Sequence, residues 1–382
     1  MSNMGIYLDY AASAPVRAEA RDAMLPFLEG RFGNPSSIHR YGRDARAALD
    51  DARARLAAVI GAAPGEIVFT RAGTEADGVA ILGRARQGRG APVAVSAVEH
   101  KAVLASAHAA EDDGARTILL PVDANGVVRL AAVDGALAEK PSVLSVMWAN
   151  NEVGTVQPVG EVGARCRAAG VVFHSDAVQA LGKVPVRVDR VAVDLVAFSA
   201  HKVGGPKGIG ALYVRRGTQL KPLLFGGGQE RGLRPGTEDV AGAVGFAAAA
   251  QAAEAQRGAA MARIGALRDR LEAGLLERVA GLVVNAAGAE RLPTISNLSV
   301  PGADPEALLM SLDLEGIAAS SGSACSSGAV EPSHVLTAMG IGPELAGPSV
   351  RFSLGWGTTD AEIDRVLDVF PAIAERVRAL AS

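Results

Sequence analysis

The sequence predicts an α/β fold: a mostly parallel central sheet flanked by helices, with a smaller α+β domain toward the C-terminus. Three observations predict it. Strand-like runs and helical stretches alternate between residues 66 and 214, the order that a parallel sheet with crossover helices requires. Several of those runs are apolar throughout, as strands covered on both faces should be. After Gly226-Gly227-Gly228 the character changes to a long alanine-rich region followed by a mixture of short strands and helices.

In chain order, Ile6-Tyr7-Leu8-Asp9-Tyr10 is strand-like and ends in Ala11-Ala12-Ser13-Ala14-Pro15. Helical stretches follow near 16–29 and 40–60, separated by Gly33-Asn34-Pro35-Ser36-Ser37, a turn by composition. Strands are expected at Glu66–Thr70, Pro92–Ala97, Arg116–Pro121, Ser142–Trp148, Val171–Ser175, Asp194–Ser199 and Gly210–Val214. Helices near 74–87, 100–112, 130–139 and 158–169 fill gaps between them. A helix from about 240 to 279 is expected because alanine is the best helix former. Its apolar residues Ile264, Leu267, Leu271, Leu275 and Leu276 also recur at helical spacing. Thr294–Val300 and Val350–Leu354 read as strands, Pro305–Leu314 and Asp360–Leu380 as helices. The expected division is a large domain over 15–255 and a small one made of 1–14 and 256–382, the latter carrying a cysteine loop at about 318–332.

The bulk composition narrows the function classes. With 382 residues, 49% hydrophobic and 21% charged, the chain has ample length for a large core. A formal net charge of −3 argues against nucleic acid or an anionic membrane as partner. No apolar run approaches the ~20 residues needed to span a bilayer. The opening residues have neither a basic nor an apolar leader region, so the expected location is the cytoplasm. The two cysteines, Cys166 and Cys325, make no disulfide framework or zinc spacing. Only six lysines are present, which shortens any list of covalent-cofactor lysines.

In an open α/β sheet, ligands bind at the carboxyl ends of the strands, and here those ends are chemically dense. The 66–70 run leads to Ala72-Gly73-Thr74-Glu75, where a helix begins. Exposed N–H groups and a threonine hydroxyl suit a phosphate there, although Thr74-Glu75-Ala76-Asp77 also fits a capping box. The next ends carry Glu99-His100-Lys101, Asn150-Asn151-Glu152 and His174-Ser175-Asp176-Ala177-Val178-Gln179. Ser199-Ala200-His201-Lys202 then places a lysine at the mouth of a buried strand; by itself the stretch also fits a solvated loop lysine. Together the ends offer a carboxylate, an amide, an imidazole, hydroxyls and a lysine around one crevice. That set suits pyridoxal 5'-phosphate, which needs a lysine amine, a carboxylate at its pyridine nitrogen, a donor for its phenolate, a flat group on the ring and phosphate donors. Asp176 can keep the ring nitrogen protonated, Gln179 can meet the phenolate and His100 can lie on the ring.

These motifs resemble the NifS-like cysteine desulfurases, a group within the class V aminotransferases and the fold-type I pyridoxal phosphate enzymes. The likeness extends to Tyr7-Leu8-Asp9-Tyr10-Ala11-Ala12, to the stretch from Gly226 to Thr237, to Ser320-Ser321-Gly322-Ser323-Ala324-Cys325 and to Arg351-Phe352-Ser353-Leu354-Gly355, and so covers nearly the whole chain. It implies that Lys202 is the Schiff-base lysine, and that Asp176, Gln179 and His100 serve ring nitrogen, phenolate and ring face. It also implies that Gly73, Thr74, Ser199 and His201 belong to the phosphate end. Thr237 would reach the phosphate of the other subunit, making a homodimer obligatory. Arg351 and Asn151 would hold the substrate carboxylate, and Asn151 would also contact the cofactor. Gly78 and Pro235 depart from the residues usual in relatives, and neither change removes a catalytic group.

Two cysteines need two explanations. Cys166, within Ala164-Arg165-Cys166-Arg167-Ala168, is expected to be a small buried hydrophobe. Cys325 lies among Ser320-Ser321-Gly322-Ser323 and Ser326-Ser327-Gly328, a segment expected to be an exposed, mobile loop that can bring a nucleophilic thiol to the site. The expected reaction converts L-cysteine to L-alanine: Lys202 takes the α-proton, His100 assists as acid–base partner, and Cys325 receives the sulfur as a persulfide. A sulfur-acceptor protein, either an iron–sulfur scaffold or a sulfur carrier, would take it onward. The alternatives are a class V aminotransferase or β-lyase, and a selenocysteine lyase.

Overall fold

The structure, a computed structural model, describes residues 5–321 and 332–381. Cys325 therefore lies outside the described residues. In chain order the first elements are β1 (Ile6–Tyr7), α1 (Ala18–Glu29), α2 (Arg40–Ile60), β2 (Ile67–Thr70), α3 (Gly73–Gly88), β3 (Val93–Ser96), α4 (Lys101–Asp112), β4 (Thr117–Leu120) and α5 (Leu130–Ala138). Next come β5 (Val143–Ser145), α6 (Val159–Ala169), β6 (Val172–Asp176), β7 (Leu195–Ser199), β8 (Gly210–Val214) and α7 (Val240–Arg278). The chain closes with β9 (Val283–Val284), β10 (Ile295–Ser299), α8 (Pro305–Leu314), β11 (Ile317–Ala318), α9 (His334–Ala338), α10 (Pro343–Ala346), β12 (Ser349–Ser353) and α11 (Asp360–Ala381).

Seven strands form the main sheet in the order β2-β8-β7-β6-β5-β3-β4. All run parallel except β8, which is antiparallel to both of its neighbours. The continuous apolar runs have the expected cause. Val196 and Phe198 of β7 enter a core with Leu49 and Leu56 of α2 and Phe246 of α7, while Leu195 and Ala197 pack on the opposite face with Val79 and Ala80 of α3. Both faces of the strand are thus covered. The edge strand β4 is the exception, with Leu119 59% exposed.

Two expected strands keep less than half of their sequence patterns. The Ser142–Trp148 run pairs with β3 only as far as Ser145, because Glu99, at the turn after β3, takes the Met147 N–H with its Oε1 at 2.6 Å. The opening strand keeps only Ile6–Tyr7, paired with β11; beyond a single bridge from Asp9 to Ser353 the chain turns.

A second core surrounds the antiparallel strands β12-β10-β9. Leu8, the distal part of α7 (Ile264, Leu267, Leu271, Leu275), α8 and α11 supply its side chains. The proximal part of α7, to Ala253, packs in the first core. No described helix is long and apolar enough to cross a membrane.

Candidate active site

β2, β3, β5, β6 and β7 share one direction, so the residues following each meet at one edge of the sheet. They enclose a cavity of about 390 Å³. Of the residues singled out in the sequence, Gly73, Thr74, His100, Asn151, Asp176, Gln179, Ser199, His201, Lys202 and Arg351 all line it. Thr237 does not; it is exposed on its own chain.

Asp176 is the last residue of β6 and its Oδ1 accepts the Val178 N–H at 2.8 Å. Burial raises its pKa, while His100, that N–H and Lys202 pull it back. A protonated ring nitrogen would be its natural counter-charge. His100 caps α4, its Nδ1 accepting the Ala102 N–H at 3.1 Å. Its proton therefore sits on Nε2, and burial lowers its pKa and favours a neutral, flat ring. Lys202 ends the short turn after β7, with Nζ donating to the carbonyls of Ala11 (2.6 Å) and Ala12 (2.9 Å). The Ala11 carbonyl also accepts Gln179 Nε2 at 2.9 Å.

The other end of the cavity suits an anion. α3 begins at Gly73 with no capping side chain, so its first N–H groups face the cavity beside Thr74, Ser199 and His201. The capping-box alternative is not what forms. A Cβ on Gly73 would stand 2.7 Å from Val178 Cγ2, so only glycine fits this close approach. His201 pairs with Ser13 Oγ at 3.3 Å, and burial and neighbouring lysine charges lower its pKa to about 4.

Arg351, on β12, reaches the cavity from the second core. Its guanidinium donates to Asp9 Oδ1 (2.8 Å) and to the Asn151 carbonyl (2.9 Å), while its buried Nε–H has no partner among the described residues. A fork fixed in this way presents a directed positive charge suited to a carboxylate.

Beside the cavity, with Asp77 on its wall, lies a polar layer whose connections sequence reasoning missed. Asp77 of α3 is buried, with Oδ1 3.4 Å from His174 Nε2; neither atom has a hydrogen-bond partner among the described residues. His174 Nδ1 meets Ser145 Oγ at 2.8 Å, and Ser96 Oγ donates to Glu99 at 2.9 Å. Burial drives the His174 pKa down to about 3 and that of Glu99 up to about 8. Asp77 is pushed well above the carboxylate range by burial and by Asp176 and Glu99. Burial raises the pKa of both neighbouring carboxyls, and only Asp176 has a backbone N–H and a lysine pulling it back down. The alternation of β6, which puts His174 and Asp176 on one face, was the available signal for His174.

The donor set fits pyridoxal phosphate: a carboxylate, a flat neutral ring, an amide, a lysine amine and a glycine-started helix N-terminus border one cavity. Glu230 anchors the stretch preceding Thr237 by pairing with Arg53 at 2.6 Å and accepting the Phe69 N–H. Cys166 is fully buried, and burial raises its pKa to about 12, consistent with a packing role.

Comparison with known proteins agrees in family. The aminotransferase class-V pattern matches residues 6–366. The chain is 44% identical to the cysteine desulfurase IscS of Dictyoglomus turgidum, covering 98% of this chain and 96% of that one. It is 46% identical to the cysteine desulfurase of Gluconacetobacter diazotrophicus, covering 98% and 94% respectively. Among solved structures, a NifS-like protein superposes with a TM-score of 0.90 at 34% identity, covering 98% of this chain and all of that one.

Proposed function

The chain belongs to the aminotransferase class-V family, and on that premise we propose that it is a pyridoxal phosphate-dependent cysteine desulfurase. It converts L-cysteine to L-alanine and passes the sulfur, as a persulfide on Cys325, to an acceptor protein of the iron–sulfur scaffold or sulfur-carrier type. The observation that carries this reading is the convergence of Lys202, Asp176, Gln179, His100 and Arg351 on one cavity.

When bound, the cofactor supplies an electron sink for the substrate α-carbon. Asp176 would hold its ring nitrogen, Gln179 its phenolate, and Gly73, Thr74, Ser199 and His201 its phosphate, with His100 against the ring. Arg351 and Asn151 orient the substrate carboxylate. The Lys202 amine takes the α-proton, and the Nε2 face of His100 is the second acid–base position. The Cys325 thiolate attacks the substrate sulfur: an S–S bond forms, the Cβ–S bond breaks, and its electron pair stays with carbon, which gains a proton on the way to alanine. Cysteine and enzyme thiol thus become alanine and enzyme persulfide, with no outside oxidant.

In this proposal the large domain spans 15–255 and the small one 1–14 and 256–382; the meeting of Arg351 and Asp9 with the strand ends at the cavity supports that division. A homodimer with Thr237 serving the partner's site is part of the proposal. It is supported by the position of Thr237 off its own cavity and by the exposed apolar side chains of Leu25, Leu28, Phe32, Ile38 and Tyr41. Cys325 separates this reading from an aminotransferase or β-lyase. Cys325→Ala should lower alanine formation from cysteine by at least about 100-fold; alanine released at the wild-type rate would overturn the desulfurase assignment.

A further inference from the structure

Lys183 is absent from the proposed chemistry, yet its side chain is tied to it. It follows Gln179 by four residues in the turn after β6, where Leu181 and Val184 donate to the carbonyls of Ala177 and Ala180. That local helical geometry stacks residues four apart on one face. Lys183 Nζ donates to Gln179 Oε1 at 2.6 Å. Gln179 Nε2 donates in turn to the Ala11 carbonyl, which also accepts the Lys202 amine. An ammonium, an amide, a carbonyl and the active-site amine therefore form one connected chain.

An amide is a donor at one end and an acceptor at the other. With an ammonium on Oε1, the end of Gln179 left for the cavity is Nε2. Lys183 itself is not on the cavity wall; it borders a small space behind it, with Tyr10, Arg17 and Trp356. The other charged or titratable groups facing it are Lys202, Arg351 and His201. We propose that Lys183 is a positioning residue of the active site: it locks the Gln179 amide so that Gln179 can only donate, never accept, toward the cofactor phenolate. This rests on the pyridoxal phosphate reading above.

Burial, with Lys202 and Arg351 adding to it, lowers the Lys183 pKa to about 7. Only the ammonium is a pure donor; the neutral amine still carries N–H groups but also a lone pair, so the lock on the Gln179 amide is complete while Lys183 is charged and loosens as it loses its proton.

The test is a pH titration of the visible absorbance of the holoenzyme. A donor to the phenolate stabilises its anion and lowers the titration midpoint. Lys183→Met should therefore raise the midpoint by about 1 pH unit, a tenfold change in the protonation equilibrium. Lys183→Arg, which keeps a donor on Gln179 Oε1, should leave it near the wild-type value. Lys183→Gln serves the same comparison if methionine disturbs folding, with a smaller rise. In a Gln179→Ala background, Lys183→Met should add nothing. An unchanged midpoint in Lys183→Met, or an equal rise in the Gln179→Ala background, would overturn the positioning role while the wild-type band leaves the functional reading standing. A wild-type protein without pyridoxal absorbance would overturn both.

Discussion

The strand-end cavity and the second core are built from opposite materials. Around the cavity, Asp77, Glu99, His174, Asp176 and Ser145 are all buried, and Asp77 and His174 each have a polar atom with no hydrogen-bond partner among the described residues. In the second core, Leu8, Leu271, Ile363 and Phe370 are fully buried among apolar neighbours, and Phe370 meets Phe352 edge-on at 5.7 Å. Burying polar and ionisable groups costs stability unless they are fully paired, whereas apolar burial supplies it at about 25 cal/mol per Å². One region carries chemistry at a cost in stability; the other supplies stability and, among the described residues, reaches the cavity through Arg351.

That contrast can be broken by two substitutions whose effects should fall on different measurements. Lys202→Ala should lower turnover of cysteine by at least about 1,000-fold, since it removes both the cofactor attachment and the proton acceptor. Its thermal unfolding in the absence of cofactor should be little changed, because the lysine amine bonds to loop carbonyls at the cavity wall and does not pack in either core. Phe370→Ala should do the reverse, lowering stability by about 3–5 kcal/mol in denaturant titration, with kcat preserved at temperatures where the variant remains folded. A Phe370→Ala protein of normal stability but low kcat would show that the second core is part of the catalytic apparatus, and the division drawn here would fail.

How much of this was legible in the sequence follows from what each residue depends on. β7 and β8 were readable because strands covered on both faces need apolar residues at every position, and Leu195–Ser199 and Gly210–Val214 supply them. The strand-end residues were readable for a related reason: a polar residue directly after an apolar run stands at the sheet edge, which is where His100, Asp176 and Lys202 are found. Asp77 was not readable. Its spacing from Thr74 fits a helix cap, and only the packing of α3 over β6 turns it toward His174. Glu99 ended the β5 pairing with β3 three residues before the apolar pattern stopped, a long-range contact that no local pattern encodes. Lys183 carried no local signal either, since its partner Gln179 Oε1 is set by the turn after β6, and the Ala11 carbonyl carries no side-chain signal at all.

The account stands on sulfur moving from substrate to a thiol of this chain, with Lys202 handling the proton. The direct measurement is peptide-resolved mass spectrometry of the holoenzyme after brief exposure to L-cysteine without an acceptor. The account predicts a mass gain of one sulfur atom on the peptide carrying Cys325, removed by reductant, absent from Cys166, and absent altogether in Lys202→Ala. Alanine formation with Cys325 unmodified, or with the added sulfur on Cys166, would contradict it.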